Sequence, residues 1–413
     1  MPPLHINSPR KFSRTLRCMV VGVLALSMAS SVYGKKKTVP KPQADEKAAE
    51  AEPKIDTTKL VWPKPPDIAR IRWLEQLKGE TGPAAPAAPP KKNQKWMERL
   101  AGMKQVDEIK VAHPHILVEP YGVAVDSKSN IYVADTYVGA IFIFNSEKLD
   151  KVELIHNGKQ VHFEQIIGLA IDDNDRLFVS DSHLHCVFVF DSAHRLLQAF
   201  GQDSLDRPSG IALDTQNRLL YVTDVVKNEV AVFDADSFKR LRTIGGPPAQ
   251  VGGEEQGTFA RPTNIAVDAA GNVYVADTIN NRIQIFDANG DFISMFGRAG
   301  DGPGYFGRPK GLAVDSDGHI WVADTSMDRV QVFDHTGRLA GYFGSHGTLP
   351  GQFVLPTGVA IDKNSRVIVS EQFKGRIQIF RYITDAEAAA AKAEREKNST
   401  AAVPAETAKE AKP

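Results

Sequence analysis

A chain of 413 residues with 42% hydrophobic and 24% charged side chains has the ordinary make-up of a soluble globular protein and is longer than one average domain, so part of it must lie outside a single core. Lys and Arg number 50 against 50 Asp and Glu. That balance lacks the concentrated positive footprint that gripping nucleic-acid phosphates requires, and no nucleic-acid partner is expected.

The chain opens with Arg10, Lys11, Arg14 and Arg17, continues with an apolar run from Cys18 to Ala29, and passes through small residues to Gly34. Charged, apolar and small-residue zones in that order predict a signal peptide over residues 1–34, the alternative being an uncleaved N-terminal anchor. The apolar run is short for a membrane span. Cys18 opens the run rather than following it, which argues against a lipid-modified mature N-terminus. Loss of the segment removes four basic and no acidic side chains, which moves the net charge from 0 to −4. It also leaves Cys186 as a lone thiol, unable to form an internal bridge. A periplasmic or secreted monomer without a stable membrane span is expected.

Residues 35–59 are rich in Lys, Ala, Glu and Pro, and residues 384–413 repeat that character. Both lack the apolar surface to offset ordering entropy and are expected to be disordered, with a helical option over the Ala-rich 386–393. Within 60–78, Ile71, Trp73 and Leu77 suggest a strand. A Pro/Ala linker and short helix are expected over 79–115, with Trp96, Met97, Leu100 and Met103 at helical spacing. That helix reads as a packing cap on one face of the domain, or as a partner-docking element. Asn398-Ser399-Thr400 fits a glycosylation acceptor by chance in a low-complexity tail.

From 116 to 383 one pattern recurs six times: a short apolar strand ending in Asp, a turn, a second strand ending in a carboxylate, and a third ending in Phe. The second-strand carboxylates are Asp135, Asp181, Asp224, Asp277, Asp324 and Glu371, at steps of 46, 43, 53, 47 and 47 residues. Forty-odd residues with several short strands make a unit too small to bury its own faces, which predicts an all-β, six-bladed β-propeller of four-stranded antiparallel blades. The turns DAAGN and DSDGH place Gly271 and Gly318 where a tight hairpin needs positive φ. Blade six runs into the charged tail after three strands. The segment Ile71 to Leu77 is expected to supply the fourth and close the ring from the N-terminal side, hiding two sheet edges.

The string RPTNIAVDAAGNVYVADTINNRIQIFDANGDFISMFG, and its counterparts in blades five and six, resemble the NHL repeat of bacterial six-bladed propellers. The resemblance covers about 260 residues by sequence pattern and implies a binding platform more often than an enzyme. Arg282, Arg329 and Arg376 each follow the second-strand carboxylate by five residues, and pairs such as Asp277 with Arg282 are expected to be scaffold. Ala140, Cys186 and Glu229 hold that place in blades one to three.

In such a ring the innermost strands begin at the channel mouth, so ligand-gripping positions fall at Tyr121, Ile167, Ser209, Thr263, Lys310 and Thr357. Blade two, LFVSDSHLHCVFVFD, is similar to a blade of the peptidyl-hydroxyglycine amidating lyases, whose zinc is held by His at this place in three blades. None of the six positions here is His, and three converging imidazoles are what such a zinc site needs. His183 and His185 stand two apart beside Asp181 and Cys186, a weak metal-site signal against exposed loop histidines. Glu119, Asn264 and Lys310 do not form a convincing lactonase set. No catalytic residue, metal or cofactor is therefore assigned.

Arg207, Arg261 and Arg308 each precede the residue that opens a blade, with Lys310 two residues further on; Glu119, Gln165 and Leu355 stand there in the other blades. Three consecutive blades thus carry basic groups on one sector of the rim, where Arg forks could take a carboxylate, a phosphate or an acidic loop. Alternatively each Arg pairs locally with a residue such as Asp206. The expected function is a protein- or peptide-binding scaffold of the cell envelope that binds through Arg207, Arg261, Arg308, Lys310 and Tyr121. The alternative is a metal-dependent lyase or hydrolase at the channel mouth.

Overall fold

The computed structural model describes residues 55–65, 67–80, 115–249, 255–384, 386–390 and 392–394. The expected signal segment, the helix around Trp96 to Met103 and the Asn398 sequon lie outside them. Among the described residues six antiparallel sheets are present, one per repeat. Blade one consists of Pro120–Val125, Ile131–Asp135, Ala140–Phe144 and Val152–His156, in that order from the channel outward. Blades two to five repeat this order, and the inner strands of neighbouring blades pack side by side around the ring.

Blade six is completed from the other end of the chain. Ile71–Leu77 pairs antiparallel with Arg376–Tyr382, in register from Ile71 with Tyr382 to Leu77 with Ile377. Val61–Trp62 adds a short fifth strand outside it. Trp62 lodges against the last two blades, its ring centroid 5.9 Å from Phe343 and 6.0 Å from Phe380. Closure therefore covers an edge that would otherwise expose unpaired backbone groups.

The core is divided as the repeat demands. Among the described residues six apolar clusters occur, one between each pair of neighbouring blades, so no blade buries its faces without a partner. The second and third strands feed both sides and are buried along almost their whole length. Each inner strand is preceded by a buried apolar plug three residues upstream: Leu117, Phe163, Leu205, Phe259, Phe306 and Phe353. Gly297 shows why glycine sits opposite such a plug: its φ is +92° and a Cβ would enter the Phe306 ring.

At the start of the inner strands glycine answers to crowding. A Cβ on Gly122, Gly168, Gly311 or Gly358 would collide with the carbonyl of Ile167, Ser209, Thr357 or Tyr121 respectively on the next blade. Blade four carries Asn264 at this place. The hairpin glycines Gly271 and Gly318 have φ of +84° and +81°, as expected, while Ser129, Asp175 and Ser365 adopt the same region in their blades.

Beyond the last strand, residues 386–390 and 392–394 are helical. The helix starts with a reciprocal cap: Thr384 N–H donates to Glu387 Oε2 at 2.9 Å, and Glu387 N–H to Thr384 Oγ1 at 3.3 Å.

Candidate functional site: the mouth face and channel mouth

The face on which inner strands begin and second strands end, here the mouth face, is organised by the six repeated carboxylates. Asp135 accepts the N–H groups of Val118 at 2.6 Å, Glu119 at 3.0 Å and Val138 at 2.9 Å. Asp181, Asp224 and Asp324 hold the equivalent loops of their blades in the same way. All six are fully buried. Burial pushes Asp135 up from its ordinary value against its backbone donors, and pushes Glu371 up against Arg376. Their work is to pin the loops that carry the rim.

The expected carboxylate–Arg pairs form in blade four, Arg282 Nε to Asp277 at 2.7 Å, and in blade six, Arg376 Nε to Glu371 at 2.6 Å. Blade five departs from this. Asp324 and Arg329 face each other in register, but among the described residues Arg329 makes no ion pair and donates instead to the Gly302 carbonyl at 2.8 Å. Asp324 is occupied by backbone N–H groups, among them Gly307 at 2.7 Å and Arg308 at 2.9 Å, and the Gly302 to Tyr305 loop offers carbonyls within reach.

At the channel mouth the small hydroxyls are spent on the ring itself. Ser209 Oγ donates to the Thr263 carbonyl at 2.9 Å, Thr278 Oγ1 to Pro309 O at 2.8 Å, and Thr325 Oγ1 to Pro356 O at 2.7 Å. Ser370 Oγ donates to Tyr121 O at 2.5 Å. The channel below encloses about 210 Å³ lined by backbone and aliphatic side chains of the inner strands, with Tyr121, Thr263 and Asn264 as its polar members.

Lys310 breaks the pattern of neutral residues. Its ammonium lies 5.2 Å from the centroid of the Tyr121 ring. Burial lowers its pKa from the ordinary value, the neighbouring Arg308 charge lowers it further, and Glu119 opposes both. Tyr121 is pushed up to about 12, chiefly by burial, with Arg308 opposing. Glu119 accepts a hydrogen bond from Gln372 Nε2 at 2.6 Å. Three of the five sequence-predicted residues, Tyr121, Arg308 and Lys310, are thus brought together with Glu119.

Arg207 and Arg261 lie on the equivalent loops of blades three and four. The backbone of each is fixed, Arg207 N–H by Asp224 at 3.1 Å and Arg261 N–H by Asn228 Oδ1 at 2.7 Å. Among the described residues, the guanidinium groups of Arg207, Arg261 and Arg308 are exposed and make neither an ion pair nor a side-chain hydrogen bond. Asp206 does not serve Arg207: its backbone carbonyl takes His185 Nδ1, and its carboxylate stands 3.9 Å from that ring.

Sequence reasoning passed over an apolar set two residues after the carboxylates. Tyr137, Val226, Ile279 and Phe373 are 40%, 50%, 47% and 69% exposed in turns of the same face. His183 and Ser326 hold this place in blades two and five and are also exposed. The constant offset from the carboxylate was the available signal.

The histidines of blade two turn apart, His183 Nε2 lying 3.0 Å from Glu164 and His185 bonding to Asp206. Cys186 is buried and its thiol is pushed up to about 12, by burial and then by Asp181. Among the described residues no group of three or more His, Cys, Asp or Glu converges as metal ligands. No helix among them is long and apolar enough to cross a membrane.

Comparison with known proteins agrees with the geometry. The NHL repeat family matches residues 163–190 and 306–333, and the SMP-30/Gluconolactonase/LRE-like region matches 200–297. A probable peptidyl-alpha-hydroxyglycine alpha-amidating lyase of Caenorhabditis elegans is 34% identical over 106 residues, 25% of this chain and 29% of that protein. NHL repeat-containing protein 2 of Gallus gallus is 34% identical over 96 residues, 22% of this chain and 13% of that protein. The match thus spans less than a third of either relative's length. Among solved structures, a protein of unknown function from Bacteroides thetaiotaomicron aligns with a TM-score of 0.53 at 17% identity, covering 64% of this chain and 70% of that one, a likeness of fold. The described residues thus form a six-bladed β-propeller in which two stretches, 163–190 and 306–333, match the NHL repeat.

Proposed function

We infer that this protein is an exported binding scaffold of the cell envelope whose mouth face holds another protein or a peptide. The observation that carries the reading is the set of three exposed guanidinium groups, Arg207, Arg261 and Arg308, without partners among the described residues, on loops whose backbone buried carboxylates and Asn228 hold fixed. A rigid base with unspent charge, flanked by Tyr137, Val226, Ile279 and Phe373, offers anchors and orientation at low ordering cost. Export is read from the charged, apolar and small-residue zones of residues 1–34.

Replacing Arg207, Arg261, Arg308 and Lys310 together by Ala is expected to abolish partner capture from native envelopes without lowering the melting temperature. Unaltered capture overturns the reading. A channel-mouth lyase or hydrolase is favoured by the 34% identity with a probable amidating lyase, yet none of the six mouth positions supplies an imidazole. Stoichiometric zinc in the purified protein, lost on substitution of mouth residues, would favour that second reading.

A further inference from the structure

The polar groups of the channel mouth fall into two kinds. Hydroxyls of Ser209, Thr278, Thr325 and Ser370 are committed to carbonyls of neighbouring blades and hold the ring together. The cations are not committed: Lys310 and Arg308 have no carboxylate within ion-pair distance among the described residues, although Lys310 is half-buried. Partial removal of an ammonium from water is costly unless something compensates, and the face of Tyr121 at 5.2 Å does so only in part.

We propose that Lys310, over the face of Tyr121, and the neighbouring Arg308 form an anion subsite at the channel mouth that receives the side-chain carboxylate of an acidic residue of the partner polypeptide. This rests on the reading of the mouth face as a protein-binding platform and adds which group enters the ring. Charge selects the occupant. Two cations against the single carboxylate of Glu119, whose field reaches both Lys310 and Tyr121, leave a surplus of one positive charge. A carboxylate neutralises that surplus, whereas a phosphate near its dianionic form exceeds it and meets Glu119. Burial and Arg308 both disfavour the charged ammonium of Lys310 in the free protein, and an entering anion opposes both effects.

The surroundings fit an acidic peptide with apolar residues beside the charge. Phe373 and Tyr137 stand exposed in the second turns of blades six and one.

The test uses the full chain and a fluorescent peptide of alternating Glu and Leu, with a counterpart bearing Gln for Glu, read by fluorescence anisotropy. Lys310→Met is expected to weaken the Glu peptide about tenfold or more and to leave the Gln peptide unchanged, with Lys310→Arg restoring most of the loss. Its melting temperature should not fall, since a half-buried cation is removed. If Lys310→Met binds the Glu peptide like the parent while Arg207→Ala with Arg261→Ala loses it, the subsite is wrong and the platform stands. If neither variant changes binding, both fail. Displacement of the peptide by phosphoserine more readily than by free glutamate would overturn the carboxylate assignment.

Discussion

Trp73, in the N-terminal closing strand, donates its indole N–H to Gln378 Oε1 of the last blade at 2.9 Å across 305 residues of sequence. Three residues along, Gln76 Oε1 accepts from Arg376 Nη1 at 2.7 Å, so the strand that closes the ring is tied into the same buried network as Glu371. The ends of the propeller are joined by polar registration as well as by the backbone ladder. Deletion of residues 60–78 should therefore destabilise the whole ring, and Ile71→Ala alone should cost about 2–4 kcal/mol, because Ile71 is buried among the residues joining blades five and six. Thermal melting checks both; an unchanged transition in the deletion would refute closure.

The plug positions make a second prediction. Phe306 lies fully buried between blades four and five, against Phe333 at 5.4 Å, and Phe306→Ala should cost about 3–5 kcal/mol. Gly297→Ala should destabilise through the same contact, since its positive φ and the ring leave no place for a Cβ. Chemical denaturation of the two variants reads these costs, and a double variant should fall short of their sum because both act on one ring.

Blades four and five carry the same Asp and Arg in the same register, yet only Arg282 closes on its carboxylate. Arg282→Met should leave Asp277 buried without its cation and cost about 3 kcal/mol or more. Arg329→Met should cost about 1 kcal/mol, because it gives up carbonyl bonds and relieves a buried Nε that has no partner. Equal losses in denaturant titrations would contradict the distinction.

Acid sensitivity should arise on the far face. Asp236 is lowered to about 2, first by its hydrogen bond from Arg218 and then, among other causes, by Arg176. Its folded pKa lies below the unfolded value of about 3.9, so it stabilises the protein above that value and the contribution is lost as pH falls through about 2. The melting difference between the parent and Asp236→Asn should accordingly shrink across this interval. Asp135 and Glu371 run the other way: burial raises them, so each favours folding while protonated and that contribution declines as pH rises through the folded value.

The repeat was legible because burial between blades imposes the same strand pattern six times, and closure was legible because blade six ran out of strands. What the sequence hid was choice among near-equal partners. Nothing in the residues of blade five announces that Arg329 will prefer the Gly302 carbonyl to Asp324. The candidate residues Tyr121 and Lys310 followed from their place at the head of an inner strand, but their meeting across Thr357 of blade six depends on ring curvature and side-chain reach. Tyr137, Val226, Ile279 and Phe373 escaped notice because single apolar residues in polar turns show neither strand nor helix periodicity, and only their constant offset from the repeated carboxylates marks them.

Carbodiimide crosslinking of the full chain in its native envelope, read by mass spectrometry, tests the mouth-face reading most directly. It joins lysines to partner carboxylates at near-zero length. The account predicts links from Lys310 and from Lys374, which is exposed beside Phe373 on the mouth face. Links confined to the far-face residues Lys128, Lys239 and Lys363 would contradict it.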